Sequence, residues 1–561
     1  MSTDRILGEA VERKRRGAFF TPPSIAEFLV KWAVTHSDAR VLDPTCGEAV
    51  FLAAAGEQLR SLGKSTSDLD SQVFGVDIHR GSLEDADRLL TSVQLDARLI
   101  PSDFFDVKAP DQLGCELPLM DAVVGNPPFV RYHHHAGQTR KLAAEAALHR
   151  GVRLSGLASS WAPLLVHASA FLKPEGRLAM VLPAELLTVH YAEPIRQWLR
   201  RRFEAVNLVV FEKLQFEGAL ENVVLLLARG SGGCDAFSLF FADDADSLSE
   251  IAPFEGWAVT PAVDGKWTDL LLPTAQRQLF RSALQSGFEE LQSHGTVGLG
   301  TVTGANEFFT LTEDTRAEYE IHEEEVVKIS PPGTRHLSGT AFSTADWRRL
   351  RDAGERVWLV QPESDSLSVG LRRYLAEGED RAIHKAYKCQ VRDPWWRPPL
   401  VPTPDLFFTY MSHRFPRLIN NSARVAFVNS MHGVWLNGPD RRFLRMALPL
   451  LAMNSVTLLG AEVFGRSYGG GVLKMEPREA ATLPVPSLDA MHRVWNSLGA
   501  EHQALERELQ HGRWTTVLAR IDQVLLSEAL GMHSKDVEHL HEAAKSLRAR
   551  RMNRKPGASV E

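Results

Sequence analysis

The sequence predicts an α/β fold whose first part is a mainly parallel sheet of seven strands, covered by helices on both faces. Short apolar runs alternate there with helical stretches at 49–61, 82–92, 157–172 and 191–202. Such alternation is typical of parallel strands joined by crossover helices. The runs that we interpret as strands are 41–43, 73–77, 97–100, 122–124, 178–182, 207–210 and 223–227.

Length and composition indicate an ordinary globular protein with more than one domain. The chain has 561 residues, of which 44% are hydrophobic and 24% charged. No apolar run approaches the length of a membrane span, and the basic residues 13–16 are not followed by the apolar core of a signal peptide. We therefore expect a cytoplasmic protein. The net charge of −7 does not indicate nucleic-acid binding. Binding of nucleic acid depends, however, on local patches of charge and not on the net charge of the chain.

Metal and disulfide chemistry are not expected. The four cysteines are far apart and form no C-x-x-C pair, so neither a disulfide framework nor a zinc site is predicted. Three consecutive histidines at 133–135 lack a second ligand cluster at convincing spacing, and we interpret them as loop residues.

Polar residues follow four successive strands of the predicted sheet, where open α/β sheets bind ligands. The first loop contains Gly47, which lets the backbone approach a ligand closely, and it leads into a helix N-terminus with free N–H groups. A carboxylate at Asp77 can accept both hydroxyls of a ribose, and Asp103 can accept an adenine amino group. The four strand ends are Asp43-Pro44-Thr45-Cys46-Gly47, Asp77, Asp103-Phe104 and Asn126-Pro127-Pro128-Phe129.

The fourth strand end suits the binding of a planar amine. Two consecutive prolines fix a rigid, extended turn. The Asn126 amide oxygen and the Pro127 carbonyl can then converge as acceptors on an exocyclic NH2 group, and Phe129 offers a flat face for stacking. The alternative is a strand that ends in a tight Pro-Pro turn plugged by an aromatic ring.

These motifs, in this order, resemble the gamma class of adenine-specific DNA methyltransferases, of which the TaqI enzyme is a type. The resemblance implies a Rossmann-like class I methyltransferase domain that uses S-adenosylmethionine. It implies catalytic roles for Asn126, Pro127, Pro128 and Phe129, and stacking of the target base between Phe129 and Phe216. The cofactor-binding residues that it implies are Thr21, Pro22, Asp43, Pro44, Cys46, Gly47, Asp77, Ile78, Asp103 and Phe104.

Two assignments within the resemblance have competitors. Phe211 competes with Phe216 for the stacking role, and core packing is the alternative for either ring. Ala49 replaces the second glycine that the family often carries in its first motif. An alanine would be strained at a positive φ, so we expect the helix simply to begin there.

The second half departs from the strand–helix alternation. A Gly-Ser-Gly-Gly turn at 230–233 and an acidic turn at 243–246 mark the boundary. We predict a methyltransferase domain over 1–235, an α+β target-recognition domain over 236–490, and a C-terminal helical segment with a basic tail over 491–561. Three segments resemble the target-recognition part of longer gamma-type enzymes, namely 303–309, 388–396 and 467–477.

Basic residues mixed with aromatics between 381 and 424 favour a nucleic-acid surface in that second domain. The alternative is an aromatic core with a solvated basic rim, which we prefer for Trp395 and Trp396. The residues predicted to contact DNA are Lys388, Arg392, Arg397, Arg414 and Arg417.

The sequence therefore predicts methyl transfer from S-adenosylmethionine to the N6 amine of a flipped adenine in duplex DNA, within restriction–modification or phage defence. Implied partners are double-stranded DNA and, as a candidate, a separate restriction endonuclease. A monomer in the nucleoid of a prokaryotic cell is expected, without a membrane contact. Alternatives are an RNA adenine or protein glutamine methyltransferase, or a non-catalytic DNA-binding protein of the same fold.

Overall fold

The chain forms two compact units in the computed structural model. The structure describes residues 21–65, 69, 71–129, 138–156, 158–211, 223–250, 257–261, 265–468, 471–499 and 501–552. The first unit ends at Leu270, and the second runs from Leu271 to Met552. No single helix among the described residues is long and apolar enough to cross a membrane, and only one pair of helices, bent by 86°, reaches that length and composition together.

The first unit contains a nine-stranded sheet in the order β3-β2-β1-β4-β5-β7-β6-β8-β9. The first five strands of this order run parallel, and β7 is antiparallel to both of its neighbours. The strands are β1 (Val41–Asp43), β2 (Val73–Asp77), β3 (Arg98–Pro101), β4 (Met120–Gly125), β5 (Leu172–Pro183), β6 (Ala205–Phe211), β7 (Val223–Arg229), β8 (Ala236–Ala242) and β9 (Ala258–Pro261). The predicted α/β fold is confirmed, and its sheet has nine strands where seven were predicted.

Helices connect these strands and bury their apolar faces against the sheet. In the second of them, Phe51, Leu52 and Leu59 recur at helical spacing and are buried in one core with Val41 and Val73. The helices are α1 (Pro23–Ala33), α2 (Val50–Ser61), α3 (Arg80–Ser92), α4 (Gln138–His149), α5 (Trp161–Ala168), α6 (Glu185–Thr188) and α7 (Glu193–Arg202).

The first unit extends beyond the predicted boundary at residue 235. β8 pairs in parallel with β6, and β9 pairs antiparallel with β8, so both strands extend the first sheet. The turn before β8 reverses the chain through Gly230, Gly232 and Gly233, which all adopt positive φ. The turn that we predicted to mark a domain boundary therefore returns the chain to the sheet.

The second unit combines four small sheets with many helices, as expected for an α+β domain. Its sheets have the orders β10-β21, β11-β18-β15-β17, β12-β14-β13 and β16-β20-β19. The strands are β10 (Phe288–Glu290), β11 (Gly295–Leu299), β12 (Thr310–Leu311), β13 (Val326–Lys328), β14 (Trp358–Val360), β15 (Leu406–Phe408), β16 (Met411–Ser412), β17 (Leu418–Asn420), β18 (His432–Leu436), β19 (Arg466–Tyr468), β20 (Val472–Lys474) and β21 (Pro484–Pro486).

The helices of the second unit pack against these sheets and against one another. A π-helical segment, Asp522–Ala529, follows the helix that ends at Ile521. The helices are α8 (Thr274–Gly287), α9 (Asn306–Phe309), α10 (Glu313–Glu318), α11 (Thr344–Asp352), α12 (Val369–Asp380), α13 (Tyr387–Gln390), α14 (Arg441–Leu451), α15 (Ser455–Phe464), α16 (Pro477–Ala481), α17 (Leu488–Leu498), α18 (His502–Gln510), α19 (Trp514–Ile521) and α20 (Ser534–Met552).

The C-terminal helices belong to the second unit and do not form a separate segment. The predicted boundary at 490/491 falls inside α17, whose Leu498 shares one hydrophobic core with Leu406 of β15. The Arg551 guanidinium of α20 forms a buried ion pair with Glu462 of α15, with an N···O distance of 2.7 Å. The helical character predicted from 488 to 552 is confirmed, but these helices complete the core of the second unit.

Candidate active site

The carboxyl ends of β1 to β4 bring the predicted strand-end residues to one edge of the first sheet. β1 pairs in parallel with both β2 and β4, and Asp43 lies opposite Gly75 in that register. Asp77 at the end of β2 lies opposite Pro101 of β3. Because the four strands run in one direction, the loops that follow them share the edge where sheets of this kind bind ligands.

Asp43 is a buried carboxylate where the first and fourth loops meet. Its Oδ1 accepts a hydrogen bond from the Thr45 amide at 3.0 Å, and its Oδ2 has no hydrogen-bond partner among the described residues. A Cβ added to Gly125 would lie 2.6 Å from Asp43 Oδ1, so the chain entering the Asn-Pro-Pro-Phe loop passes directly over this carboxylate. Burial raises the pKa of Asp43 to about 8. A buried oxygen without a partner suits the positively charged end of a ligand.

Asp77 is held beside open backbone. Its Oδ2 accepts a hydrogen bond from the Gly47 amide at 3.0 Å, and its Oδ1 accepts one from the His79 amide at 2.8 Å. Gly47 has a φ of +50°, and a Cβ added there would meet no atom within 4 Å. The side chain of Ile78 is exposed, with 57% of its surface accessible. A carboxylate between open backbone and an apolar surface fits the ribose and base of an adenosine group.

The first loop differs from the expected shape at Ala49. We expected the helix to begin at this position, but it begins one residue later, and Ala49 occupies the left-handed region with a φ of +66°. An alanine in that region is strained by roughly 1 kcal/mol relative to glycine. The loop is joined to β2 where the Cys46 amide donates to the Val76 carbonyl at 2.9 Å, and both Pro44 and Cys46 are buried.

Asn126 is oriented by a residue from the start of the described chain. Its Nδ2 donates a hydrogen bond to Thr21 Oγ1 at 3.2 Å, across a separation of 105 residues. Thr21 is buried and precedes α1 together with Pro22. Since the amide is held by its nitrogen, its oxygen is directed away from Thr21. The loop after β1, the Asn-Pro-Pro-Phe loop after β4 and the segment before α1 therefore lie close together.

The rest of the Asn-Pro-Pro-Phe loop is held by a residue that sequence reasoning missed. The Ser160 hydroxyl, at the start of α5, donates a hydrogen bond to the carbonyl oxygen of Pro128. Phe129 is partly buried against the core of the first unit. A serine that precedes an apolar helix is typical of a helix cap, so its residue type carried no functional signal.

A polar network stands beside Ser160. The Tyr191 hydroxyl donates to the Glu185 carboxylate and lies 3.0 Å from Ser159 Oγ, and Trp161 Nε1 lies 3.2 Å from the same hydroxyl. Burial, and then the Glu185 carboxylate, raise the pKa of Tyr191 well above its ordinary value, so the hydroxyl keeps its proton. These bonds fix the start of α5 and, through Ser160, the Pro128 carbonyl.

The Phe104 ring is buried among other rings, and its predicted contact with an adenine ring stays a prediction. Its ring is 4% exposed and packs 4.9 Å from the His167 ring and 5.2 Å from the Phe171 ring, measured between centroids. The ring faces the core because the turn that follows Asp103 points it inward. Asp103 itself accepts a hydrogen bond from the Phe105 amide at 3.0 Å. Phe105 is only partly buried, and its ring lies 5.9 Å from the His167 ring between centroids.

Two earlier predictions fall on residues that the structure does not describe. Phe216 and the three histidines at 133–135 lie outside the described ranges. The competitor Phe211 is 3% exposed at the end of β6 and belongs to the hydrophobic core of the first unit.

Of the five residues of the second unit that are predicted to contact DNA, three arginines are bonded to other parts of the unit and two basic residues are exposed. The guanidinium of Arg392 donates to the Thr303 carbonyl, and that of Arg417 donates to the Ser338 carbonyl at 2.7 Å and to the Leu337 carbonyl. These two side chains thus help to hold the fold, and their contact with DNA stays a prediction. Arg397 forms an ion pair with Asp365 at 2.7 Å. By contrast, Lys388 and Arg414 are exposed.

Two of the segments that resemble target-recognition elements lie against each other. A Cβ added to Gly304 would approach the Lys388 Cβ to 2.8 Å, and the Arg392 guanidinium lies 5.2 Å from the centroid of the Phe309 ring. Trp395 packs against Phe309 at 6.1 Å between centroids, in line with the core role preferred for it. The third segment pairs elsewhere, in the β16-β20-β19 sheet, and its Gly471 approaches the backbone of α20.

Comparison with sequence families supports the same division of the chain. Residues 7–244 match the model of the family described as N-6 DNA Methylase. Residues 264–526 match the family described as the C-terminal domain of the Type II methyltransferase M.Eco57I. The two matches together span most of the chain.

Individual relatives match over most of their length. The chain is 24% identical over 505 residues to the Type II methyltransferase M.XamI of Xanthomonas campestris pv. amaranthicola, which covers 85% of this chain and 86% of that protein. It is 20% identical over 502 residues to M.AccI of Acinetobacter calcoaceticus, covering 85% and 88%. Among solved structures, the Type IIL restriction–modification enzyme MmeI in complex with DNA shares the fold with a TM-score of 0.56 at 11% identity, over 91% of this chain and 73% of that one.

Proposed function

We infer that this chain, which is an adenine-specific DNA methyltransferase of the kind found in restriction–modification systems, methylates the exocyclic N6 of an adenine flipped out of duplex DNA. The observation that carries this reading is the bond from Asn126 to Thr21, which orients the amide one residue after Gly125, the residue that lies against the buried Asp43 carboxylate. An amine acceptor and a site for a cationic donor thus meet at one edge of one sheet.

We propose S-adenosylmethionine as the donor. The residues that would hold it are Asp43 for its positively charged end, Asp77 for the ribose hydroxyls, and Ile78 with the open backbone at Gly47 for the base. When bound, this cofactor supplies an electrophilic methyl group on a sulfonium. The fit rests on the buried Asp43 oxygen that has no partner among the described residues, and on the open space beside Gly47.

The chain's own residues prepare the amine. The Asn126 side-chain oxygen and the Pro127 carbonyl accept hydrogen bonds from the two N–H groups of the adenine N6, which favours a pyramidal nitrogen with a localised lone pair. Phe129 stacks on the base, and stacking of this kind contributes about 1–3 kcal/mol per base. That gain offsets the few kcal/mol needed to unstack the adenine from the duplex. The loop supplies alignment, since Ser160 and Thr21 fix it from two sides.

The second unit is proposed to recognise the DNA sequence. Lys388 and Arg414 remain the candidate contacts from the sequence prediction, since both are exposed. Phe216 is retained as the proposed second stacking ring. The proposal also includes a separate restriction endonuclease as partner, a monomeric enzyme, and action at the nucleoid of a prokaryotic cell.

The test is transfer of tritium from labelled S-adenosylmethionine into duplex DNA, RNA and protein. We expect label in duplex DNA only. The Asn126→Ala variant should lose at least about 100-fold in rate, as expected when one group that stabilises a transition state is removed, while its affinity for the donor in calorimetry changes less than about 3-fold.

Other outcomes would support the alternatives. Label in RNA or in protein glutamine would replace the proposed substrate, and an absence of donor binding would indicate a non-catalytic DNA-binding protein. An undiminished rate in the Asn126→Ala variant would contradict the assigned role of the amide.

A further inference from the structure

Three arginines in the second unit surround one fully buried carboxylate. Arg441 Nε lies 3.0 Å from each oxygen of Asp405, Arg424 Nη1 lies 3.4 Å from Oδ1, and Arg445 Nε lies 3.9 Å from Oδ1. Asp405 also accepts a hydrogen bond from the Leu436 amide at 2.9 Å. A single carboxylate therefore balances three permanent positive charges.

The surplus charge faces solvent. The side chains of Arg424 and Arg441 are 51% and 49% exposed, whereas Asp405 is 0% exposed. No second carboxylate lies within 4.0 Å of these three arginines in the described part of the chain, and the neighbouring Asp440 lies 3.8 Å from His492. The Arg445 side chain is 20% exposed, and its Nε and Nη2 also donate to Asn420 Oδ1 at 3.3 and 3.2 Å. The donors available to an anion therefore belong to the exposed guanidinium groups of Arg424 and Arg441.

Arg424 is held in a backbone conformation that costs stability. Its φ is +55°, in the left-handed region that favours glycine. The turn is fixed by Asn421, which is 0% exposed and whose Nδ2 donates to the Pro404 carbonyl at 3.0 Å and to the Val425 carbonyl at 2.9 Å. A long cationic side chain is thus kept at a strained position by buried hydrogen bonds, and such strain is characteristic of functional sites.

The helix beside it also carries its charges in unfavourable places. Arg441 is the first residue of α14, where the helix dipole disfavours a cation. Arg445 stands four residues later on the same helical face, and like charges at that spacing repel. Burial, and then repulsion from Arg424, lower the pKa of Arg445. The positive φ of Arg424, the cation at the helix N-terminus and the pair of like charges on one helical face are each unfavourable for stability. Their occurrence together indicates a binding site.

We propose that Arg424, Arg441 and Arg445 form a binding site for a backbone phosphate of the DNA substrate. The chemistry is that of a phosphodiester, whose negative charge offsets the surplus and whose oxygens match the fork of a guanidinium. Asp405 orients the arginines and remains buried. The proposal rests on the proposed function, because it takes duplex DNA as the ligand.

The test uses the full-length protein and a fluorescent, non-specific DNA duplex, with the dissociation constant measured from 50 to 200 mM salt. Arg424→Gly removes the cation and relieves the strain at this position. We expect the slope of log K against log salt to fall by about 0.9, the value of one lost phosphate contact. The melting temperature should be unchanged or higher, and Arg424→Lys should keep most of the slope.

The matched control is Arg349→Gln, which removes an equal charge from an exposed ion pair on α11 with Asp346 at 3.1 Å. Its salt slope should match that of the unaltered protein. An unchanged slope in Arg424→Gly, or an equal loss in the control, would overturn the proposal, as would a lowered melting temperature with an unchanged slope.

Inorganic phosphate separates the two sources of the anion. If millimolar phosphate stabilises the unaltered protein but not Arg424→Gly, and the DNA slope is unchanged, the cluster takes a free anion and the proposal is wrong. Methylation of DNA by the unaltered protein is scored separately, so the proposed function can stand if the phosphate site fails.

Discussion

Gly125→Ala tests whether the two loops around Asp43 form one closely fitted unit. A Cβ at residue 125 would lie 2.6 Å from Asp43 Oδ1, 3.3 Å from its Cγ and 3.5 Å from Pro44 Cδ. Non-bonded heavy atoms normally stay about 3.5–4.0 Å apart. Asp43 is fully buried and short, so it has no room to swing away. The chain that leads into Asn126 must therefore move, by nearly 1 Å on this contact distance.

The two consequences have different sizes. Overpacking of this kind costs about 1–3 kcal/mol of stability, which a large protein can tolerate. Displacement of a reacting group by about 1 Å costs on the order of 100-fold in rate. Because Asn126 is the next residue, we expect the rate of methyl transfer to fall by about 100-fold, while most of the protein remains folded at 25 °C.

The assay compares single-turnover methyl transfer to duplex DNA with the fraction of folded protein from circular dichroism. The matched control is Gly81→Ala in α3, where an added Cβ would meet no atom within 4 Å. That change should leave the rate unaltered and stabilise the helix by about 0.5–1 kcal/mol. A Gly125→Ala rate within about 3-fold of the unaltered protein would refute the reasoning, since the 100-fold expectation follows from the displacement.

Two further predictions concern Asp43 and Ser160. The folded-state pKa of Asp43 is about 8, above its ordinary value of 3.8. Its contribution to the free energy of unfolding is therefore fully present below about pH 4 and is lost as the pH rises through 8, at up to about 1.4 kcal/mol per pH unit. The free energy of unfolding of Asp43→Asn should lack this pH-dependent component. Affinity for the cationic donor should rise over the same pH window in the unaltered protein and stay flat in Asp43→Asn; a donor affinity that rises equally in both would contradict the role of Asp43. Ser160→Ala removes the hydrogen bond to Pro128 and should slow transfer by about 10-fold, the value of roughly 1.4 kcal/mol, without weakening donor binding. Ser169→Ala removes a similar bond, to the Val166 carbonyl at 2.7 Å, and should leave the rate per folded molecule unchanged; equal rates in the two variants would remove Ser160 from the account.

The sequence predicted the catalytic unit well because its strands are short, apolar and bounded by chemically distinct loops. The predicted bounds of β1 and β2 agree with the structure. β5 is longer than predicted because it begins at Leu172. Its first residues include Lys173 and Glu175, whose charged side chains do not show the apolar pattern by which we identified strands. Phe104 was assigned to the cofactor because a ring after a strand-end aspartate suggests stacking, but its inward direction depends on His167, which lies far along the chain.

The second unit was harder to predict because its contacts are long-range. Nothing near Arg417 in sequence indicates that its guanidinium reaches the carbonyl of Ser338, 79 residues away. The same holds for Arg392 and the Thr303 carbonyl. Basic composition alone therefore could not separate arginines that hold the fold from those, such as Arg424, whose charge remains in surplus at the surface.

The most direct test of the account is single-molecule sequencing of a plasmid incubated with the purified protein and S-adenosylmethionine. We expect N6-methyladenine at one position of one short recurring sequence, at every copy of that sequence, and none after incubation with Asn126→Ala. Unmodified DNA after incubation with a folded protein that binds the donor would contradict the central claim, as would methylation of cytosine in place of adenine.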